Sequence, residues 1–213
     1  MTLITISASY GAGGSRVGPA LAERLGVPFL GRPPLLDAAE SEGEEERACD
    51  ESGGSRPGRL LSRIASVAVV WGTPAGMTLD ELLPDQAVRE QIEQEIHALA
   101  ATGAGVILGR GAAAVLHDDA RALHVLLDGP VEGRVRQAMA IERIDREVAE
   151  KRLARVDRFR RAYIDTLYGV DPHEPGVCHL VLDSTAISFE DCVELIVAAV
   201  AARTRRAGSA PAA

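Results

Sequence analysis

Leu3-Ile4-Thr5-Ile6-Ser7 is a short β-branched run that passes into Tyr10-Gly11-Ala12-Gly13-Gly14-Ser15. Val17, Leu21 and Leu25 then recur every four residues, and Gly26 stands where a C-cap would end a helix. The stretch reads strand, glycine loop, helix. Val27-Pro28-Phe29-Leu30 suggests a second short strand. Val106-Ile107-Leu108, Ala122–Leu127 and His179–Asp183 supply three more. Two of these are almost continuously apolar, as strands of a parallel sheet covered on both faces must be. Helices are expected over Leu60–Val67, over Pro84–Ala101 with apolar Val88, Ile92, Ile96 and Leu99, and over 131–142 and 145–167. A last helix begins after Ser188, with Asp191 at its third position, and runs to about Ala202. Strands alternating with helices predict an α/β fold with a five-stranded parallel sheet. Ligands then bind at the carboxyl ends of the strands, where Ser7–Ser15, Arg110 and Asp128 fall.

The glycine loop is tested against the P-loop pattern G-x-x-x-x-G-K-S/T. With Gly13 on the second glycine, Ala8 takes the first, Gly14 takes the lysine slot and Ser15 the hydroxyl. The regular pattern fails, but the physical context stays. Successive glycines let backbone N–H groups turn inward around an anion, and the following helix adds its positive end. The same glycines would also serve a plain turn from strand to helix. A dinucleotide loop is disfavoured, because Arg16 occupies the third glycine position and Gly31-Arg32 stand where its ribose-binding acid belongs.

The chain has 213 residues, 46% hydrophobic, 25% charged and 3% aromatic, with a net charge of −8. That composition gives a globular core and argues against a general DNA binder. Eight acids against Arg47 make residues 37–54 an acidic stretch, and 37–55 is expected to form a mobile solvated loop. Lys151 is the only lysine, so phosphate chemistry must use arginine, backbone N–H groups or a metal. Three cysteines are too few for a disulfide scaffold and lack metal-ligand spacing. No apolar run reaches membrane-spanning length. A cytoplasmic protein is expected, with no membrane partner and with homodimerisation left open.

Ile6-Ser7-x-x-Tyr10-Gly11-x-Gly13-Gly14 resembles the altered P-loop of the cytidylate kinase-like proteins, which also carry glycine in the lysine slot. Gly109-Arg110-Gly111 is similar to the G-R-D segment of bacterial cytidylate kinases, and Leu126-Leu127-Asp128-x-x-x-Glu132-x-Arg134 to their F-L-D-A-S-x-E-x-R. Leu180-Val181-Leu182-Asp183-Ser184-Thr185 with Ser188 matches their terminal strand and helix. Gly31 and Gly111 replace acids of the family pattern, and 33–83 is shorter than the monophosphate-binding insert.

The resemblance implies a P-loop NTPase fold of the nucleoside monophosphate kinase type. The Arg/Ala/Gly/Pro composition predicts a disordered tail at 203–213, and the resemblance gives a sheet order of 2-3-1-4-5, one domain over 1–202 and a lid helix region at 145–170. It implies ATP and Mg²⁺, with phosphoryl transfer to a nucleoside monophosphate, CMP or dCMP. Tyr10, Gly11, Ala12, Gly13, Gly14, Ser15, Arg16 and Arg134 would meet the nucleotide. Arg110 would hold the acceptor phosphate, with Asp157 also on the acceptor. Ser15 and Asp128 would hold the metal. Asp157-Arg158-x-Arg160 lies on the lid motif D-R-x-R, so Arg158, Arg160 and Arg161 would neutralise the transferring group. At helical spacing Asp157 pairs best with Arg160 or Arg161. Two alternatives stand beside this: a kinase of another small molecule, and a nucleotide-binding sensor without turnover.

Overall fold

The computed structural model describes residues 2–32, 86–171 and 176–209. The acidic stretch 37–55, the helix expected over Leu60–Val67, Cys49 and His173 lie outside the described residues. Five strands form one parallel sheet in the order β2-β3-β1-β4-β5. β1 (Thr2–Ala8) is central, with β3 (Ala104–Leu108) on one side and β4 (Ala122–Asp128) on the other. Its register places Ile4 beside Val106 and Leu123. The edges are β2 (Phe29–Leu30) and β5 (Leu180–Asp183).

The alternation along the strands explains both layers. Ile4, Ile6, Val125 and Leu127 point to one face and pack with Val17 and Leu21 of α1 (Gly14–Leu25) and with Val193 and Ile196 of α6 (Phe189–Ser209). Leu3, Ile107 and Ala122 point to the other, against Ile96 and Ala100 of α2 (Gln86–Ala101) and against Leu116. Covering both faces is what the nearly continuous apolar run of β4 demands. Among the described residues, no helix is long and apolar enough to cross a membrane.

The chain divides into two units, Met1–Gly31 with Gln91–Ala213, and Arg32–Glu90. The first carries the sheet. In the second, Gln86 Nε2 donates to Glu90 Oε1 at 2.9 Å within the opening of α2.

Two elements differ from the sequence reading. A four-residue helix, α3 (Ala112–Val115), follows Gly109-Arg110-Gly111; it is too short to leave a periodic signal. The last helix does not stop near Ala202 but continues to Ser209. Alanine and arginine are good helix formers, Thr204 Oγ1 donates back to Val200 O, and Arg203 Nη2 donates to Ala120 O at 2.9 Å. Its start is as expected: Asp191 N donates to Ser188 Oγ at 3.0 Å, and Ser188 Oγ donates to Asp191 Oδ2 at 2.7 Å.

α4 (Val131–Glu142) and α5 (Arg146–Tyr168) complete the frame. Asp145 caps α5, accepting from Val148 N at 2.8 Å.

One buried polar pair makes stability depend on pH. His124 of β4 hydrogen-bonds Thr5 Oγ1 through Nδ1 at 2.7 Å, its N–H donates to His179 Nδ1, and the two rings stack 5.0 Å apart. Burial, then the neighbouring His179 and Arg203, hold the His124 imidazole down at about 4. An unfolded chain takes up this proton near pH 6.5 and the folded one does not, so stability is full above 6.5 and falls with acidification until about pH 4. The expected loss is about 3 kcal/mol. Thermal melts between pH 7 and 4 check it: His124→Asn should flatten that slope, and an unchanged slope refutes the assignment.

Candidate functional site

The strand ends of β1, β3 and β4 bring three segments to one edge of the sheet. After Ala8 the chain turns through Ser9, whose N–H donates to Leu127 O at 3.1 Å, and Ala12 N donates back to Ser9 O at 3.1 Å. Gly11 and Gly13 take φ of +77° and +73°, a backbone region that side chains rarely adopt. Space enforces the same choice. A Cβ at Gly11 would run into the Arg134 carbonyl, and one at Gly13 into the Phe189 ring. Gly13 then caps α1. The N–H groups of Gly11, Gly13, Gly14 and Ser15 have no acceptor among the described residues. That leaves four open donors beside the positive end of a helix, the arrangement that takes phosphate. Ser15 and Arg16 are exposed on the first turn of α1.

Several residues expected to touch ligands bind the loop's main chain in this structure. Arg134 is buried; its Nη1 donates to Tyr10 O at 3.0 Å and to Asp157 Oδ2 at 2.6 Å, and its Nε to Gly129 O at 2.9 Å. Asp157 Oδ1 accepts from Tyr10 N at 2.8 Å. Asp157 thus takes Arg134 of α4 as its ion-pair partner, a correction to the pairing expected within its own helix. Helical spacing shows only neighbours on the same helix, and this partner crosses from α4. The buried Tyr10 phenol donates to Glu142 Oε2 at 2.7 Å, which also accepts from Arg152 Nη1 at 2.7 Å. Burial, then Glu142, push the phenol above its ordinary range and keep it a donor. Ser184 Oγ donates to Ala12 O at 2.8 Å.

α5 also reaches the loop through Arg160, whose Nη1 donates to Ala8 O at 2.8 Å. Ala8 occupies the first P-loop position, so a guanidinium sits on the loop that lacks lysine. Arg158 and Arg161 are exposed on α5. Burial and the neighbouring Arg152 lower Arg155 from the usual guanidinium range.

Arg110 has an unusual setting. Gly109, Arg110 and Gly111 run consecutively at φ +68°, +61° and +74°. A non-glycine residue held there stores of order 1 kcal/mol or more of strain, which persists only where the surroundings fix it. The guanidinium is 8% exposed. Its Nε donates to Gly31 O and its Nη1 to Glu95 Oε2, both at 2.5 Å.

Asp128 Oδ1 lies 3.4 Å from Arg134 Nε at the end of β4. Asp183 is a structural cap: its Oδ1 accepts from Thr185 N, Thr185 Oγ1 and Ala186 N, and these donors lower its carboxyl below the usual range. His117 with Asp118 forms an exposed surface pair.

Glu142 and Glu95 went unseen in the sequence, and Arg152 stood out only as one of the arginines on the 145–167 helix. Glu95 sits on the polar side of the Val88-Ile92-Ile96-Leu99 pattern, and no spacing singles it out.

The sequence pattern of the cytidylate kinase-like family matches residues 3–186. The chain belongs to the cytidylate kinase-like family. Solved structures agree on the fold. An uncharacterised protein from Eubacterium ventriosum superposes with a TM-score of 0.64 at 17% identity, over 94% of this chain and 98% of that one. A gluconokinase from Sinorhizobium meliloti gives 0.54 at 18% over 98% of both, and a sugar kinase from Janibacter gives 0.50 at 16% over 93% of both. The fold of this cytidylate kinase-like chain is that of the P-loop kinases. A uronate isomerase from Corynebacterium glutamicum is 30% identical over 98 residues, which span 46% of this chain and only 19% of that protein.

Proposed function

We propose that this protein transfers the γ-phosphoryl group of ATP to a small-molecule acceptor. One observation carries the reading: four open N–H groups and the Arg160 guanidinium converge on a loop without lysine. Phosphoryl transfer needs mainly positioning and charge stabilisation, and this loop supplies both. Backbone N–H groups of Gly11, Gly13, Gly14 and Ser15 hold the donor phosphates. Arg134, Asp157 and Tyr10 keep that loop in shape from behind. α5 serves as the lid helix, and its exposed Arg158 and Arg161 meet the transferring group when it closes. The acceptor oxygen bonds to the γ-phosphorus as the bond to the β–γ bridging oxygen breaks; ADP leaves with that electron pair, and a hydroxyl acceptor gives up its proton to water.

The Ser15 hydroxyl and the Asp128 carboxylate are hard oxygen donors of the kind Mg²⁺ prefers, and magnesium in such sites fills its remaining positions with phosphate and water. Mg²⁺ held there would neutralise phosphate charge.

The resemblance points to CMP or dCMP as acceptor. A second reading, another small molecule on the same fold, is favoured by the pairing of Arg110 with Glu95. Purified protein with ATP, Mg²⁺ and an acceptor panel, followed by ADP release, tests the proposal. Acceptor-dependent ADP is expected, and Gly13→Val should abolish ATP binding by forcing the loop backbone out of its positive φ and off the Phe189 ring. ATP binding with no turnover on any acceptor would make the protein a nucleotide-binding sensor. Unchanged ATP binding in Gly13→Val would make the loop a structural turn.

A further inference from the structure

The strained turn at 109–111 holds Arg110 against Gly31 O and Glu95, and this leaves the guanidinium half used. Nε and Nη1 are committed, whereas Nη2 has no acceptor among the described residues. On the other side of the ion pair, the Glu95 side chain is 41% exposed, and its Oε1 has only a long 3.5 Å contact from Gln91 Nε2. The pair therefore offers one N–H donor edge and one carboxylate acceptor, side by side, with no net charge.

A phosphate monoester is poorly matched to that pair. Phosphate sites gather uncompensated positive charge, usually with both guanidinium edges free for a bidentate grip. Here an incoming dianion would meet the Glu95 carboxylate. Two neighbouring hydroxyls fit instead: one accepts from Arg110 Nη2 while the other donates to Glu95 Oε1. We infer that the Arg110–Glu95 pair reads a vicinal diol on a neutral, polyhydroxylated acceptor. The inference rests on the phosphoryl-transfer reading above and chooses its acceptor class. It assigns Arg110 and Glu95 to specificity, since the reacting hydroxyl is a different one.

Wild-type protein and Glu95→Gln are assayed for ADP release with ATP and Mg²⁺. The acceptors are glycerol, D-ribose, D-glucose and myo-inositol on one arm, and CMP and dCMP on the other. Transfer to at least one polyol is expected, with kcat/KM at least 100-fold above that for either monophosphate. The Glu95 carboxylate opposes the phosphate of both monophosphates, and dCMP also lacks a vicinal diol; a site built to hydrogen-bond hydroxyls rejects compounds that lack them by large factors. Glu95→Gln should lower kcat/KM for that polyol about 10-fold or more. ATP affinity should stay unchanged, because no contact of Glu95 reaches the glycine loop, whereas the melting temperature should fall by a few degrees as Arg110 loses its ion pair; an unaltered circular dichroism spectrum shows that the variant is folded. Turnover with CMP or dCMP alone, or a polyol rate indifferent to Glu95→Gln, overturns this inference and leaves phosphoryl transfer standing. No transfer to either arm, with ATP still bound, overturns both.

Discussion

Arg160→Ala is expected to lower turnover about 100-fold or more while changing ATP affinity less than about threefold. With Gly14 in the lysine slot, the Arg160 guanidinium on Ala8 O brings positive charge to the start of the loop. Loss of one preorganised charge contact costs roughly 3–4 kcal/mol in a transition state, and each 1.4 kcal/mol is about tenfold in rate. Ground-state affinity falls little, because the backbone N–H groups of Gly11, Gly13, Gly14 and Ser15 remain. Initial rates and calorimetric ATP titration on one preparation separate the two effects. Equal losses in both would show that Arg160 holds the loop's shape rather than the charge of the transferring group.

Arg134→Ala is expected to act on stability. The substitution removes a buried guanidinium with three protein acceptors and leaves Asp157 without its ion-pair partner. Breaking such a pair from one side typically costs about 3–5 kcal/mol. For a chain of this size the melting temperature should drop by roughly 10 °C. Arg134→Lys should recover little, because one ammonium cannot reach the Tyr10 carbonyl, the Gly129 carbonyl and the Asp157 carboxylate together. The doubly neutral Arg134→Met/Asp157→Asn variant should be more stable than Arg134→Ala, since Asp157 no longer carries an uncompensated charge. A melting temperature for Arg134→Ala within about 2 °C of wild type would show the cluster to be solvated.

The fold was legible because its signals are local. Val17, Leu21 and Leu25 announce α1, and the nearly continuous apolar runs of β3 and β4 require a sheet covered on both sides. The sheet order came from the resemblance, through segments such as Leu180–Thr185, and not from periodicity. The site was legible only in its glycines and arginines. A sequence shows that Arg134 and Asp157 exist, 23 residues apart, but not that they meet across two helices beneath Tyr10. Arg110 is conspicuous between two glycines. Glu95, which decides what Arg110 is free to bind, looks like any acid on the outer side of a helix. Tertiary pairs of this kind leave no period, cap or breaker to read.

The contacts around the glycine loop fall almost entirely on its main chain: Ala8 O, Tyr10 N and O, and Ala12 O. Asp157 and Arg160, both on α5, hold two of them. If that helix swings away, both bonds break in the same movement, and the loop loses its support from that side. On the proposed lid reading, opening for product exit and relaxation of the phosphate cradle would form one kinetic step. A probe on either should report the same relaxation rate, and that rate, not the chemistry, then sets a ceiling on how often the site can be emptied and refilled.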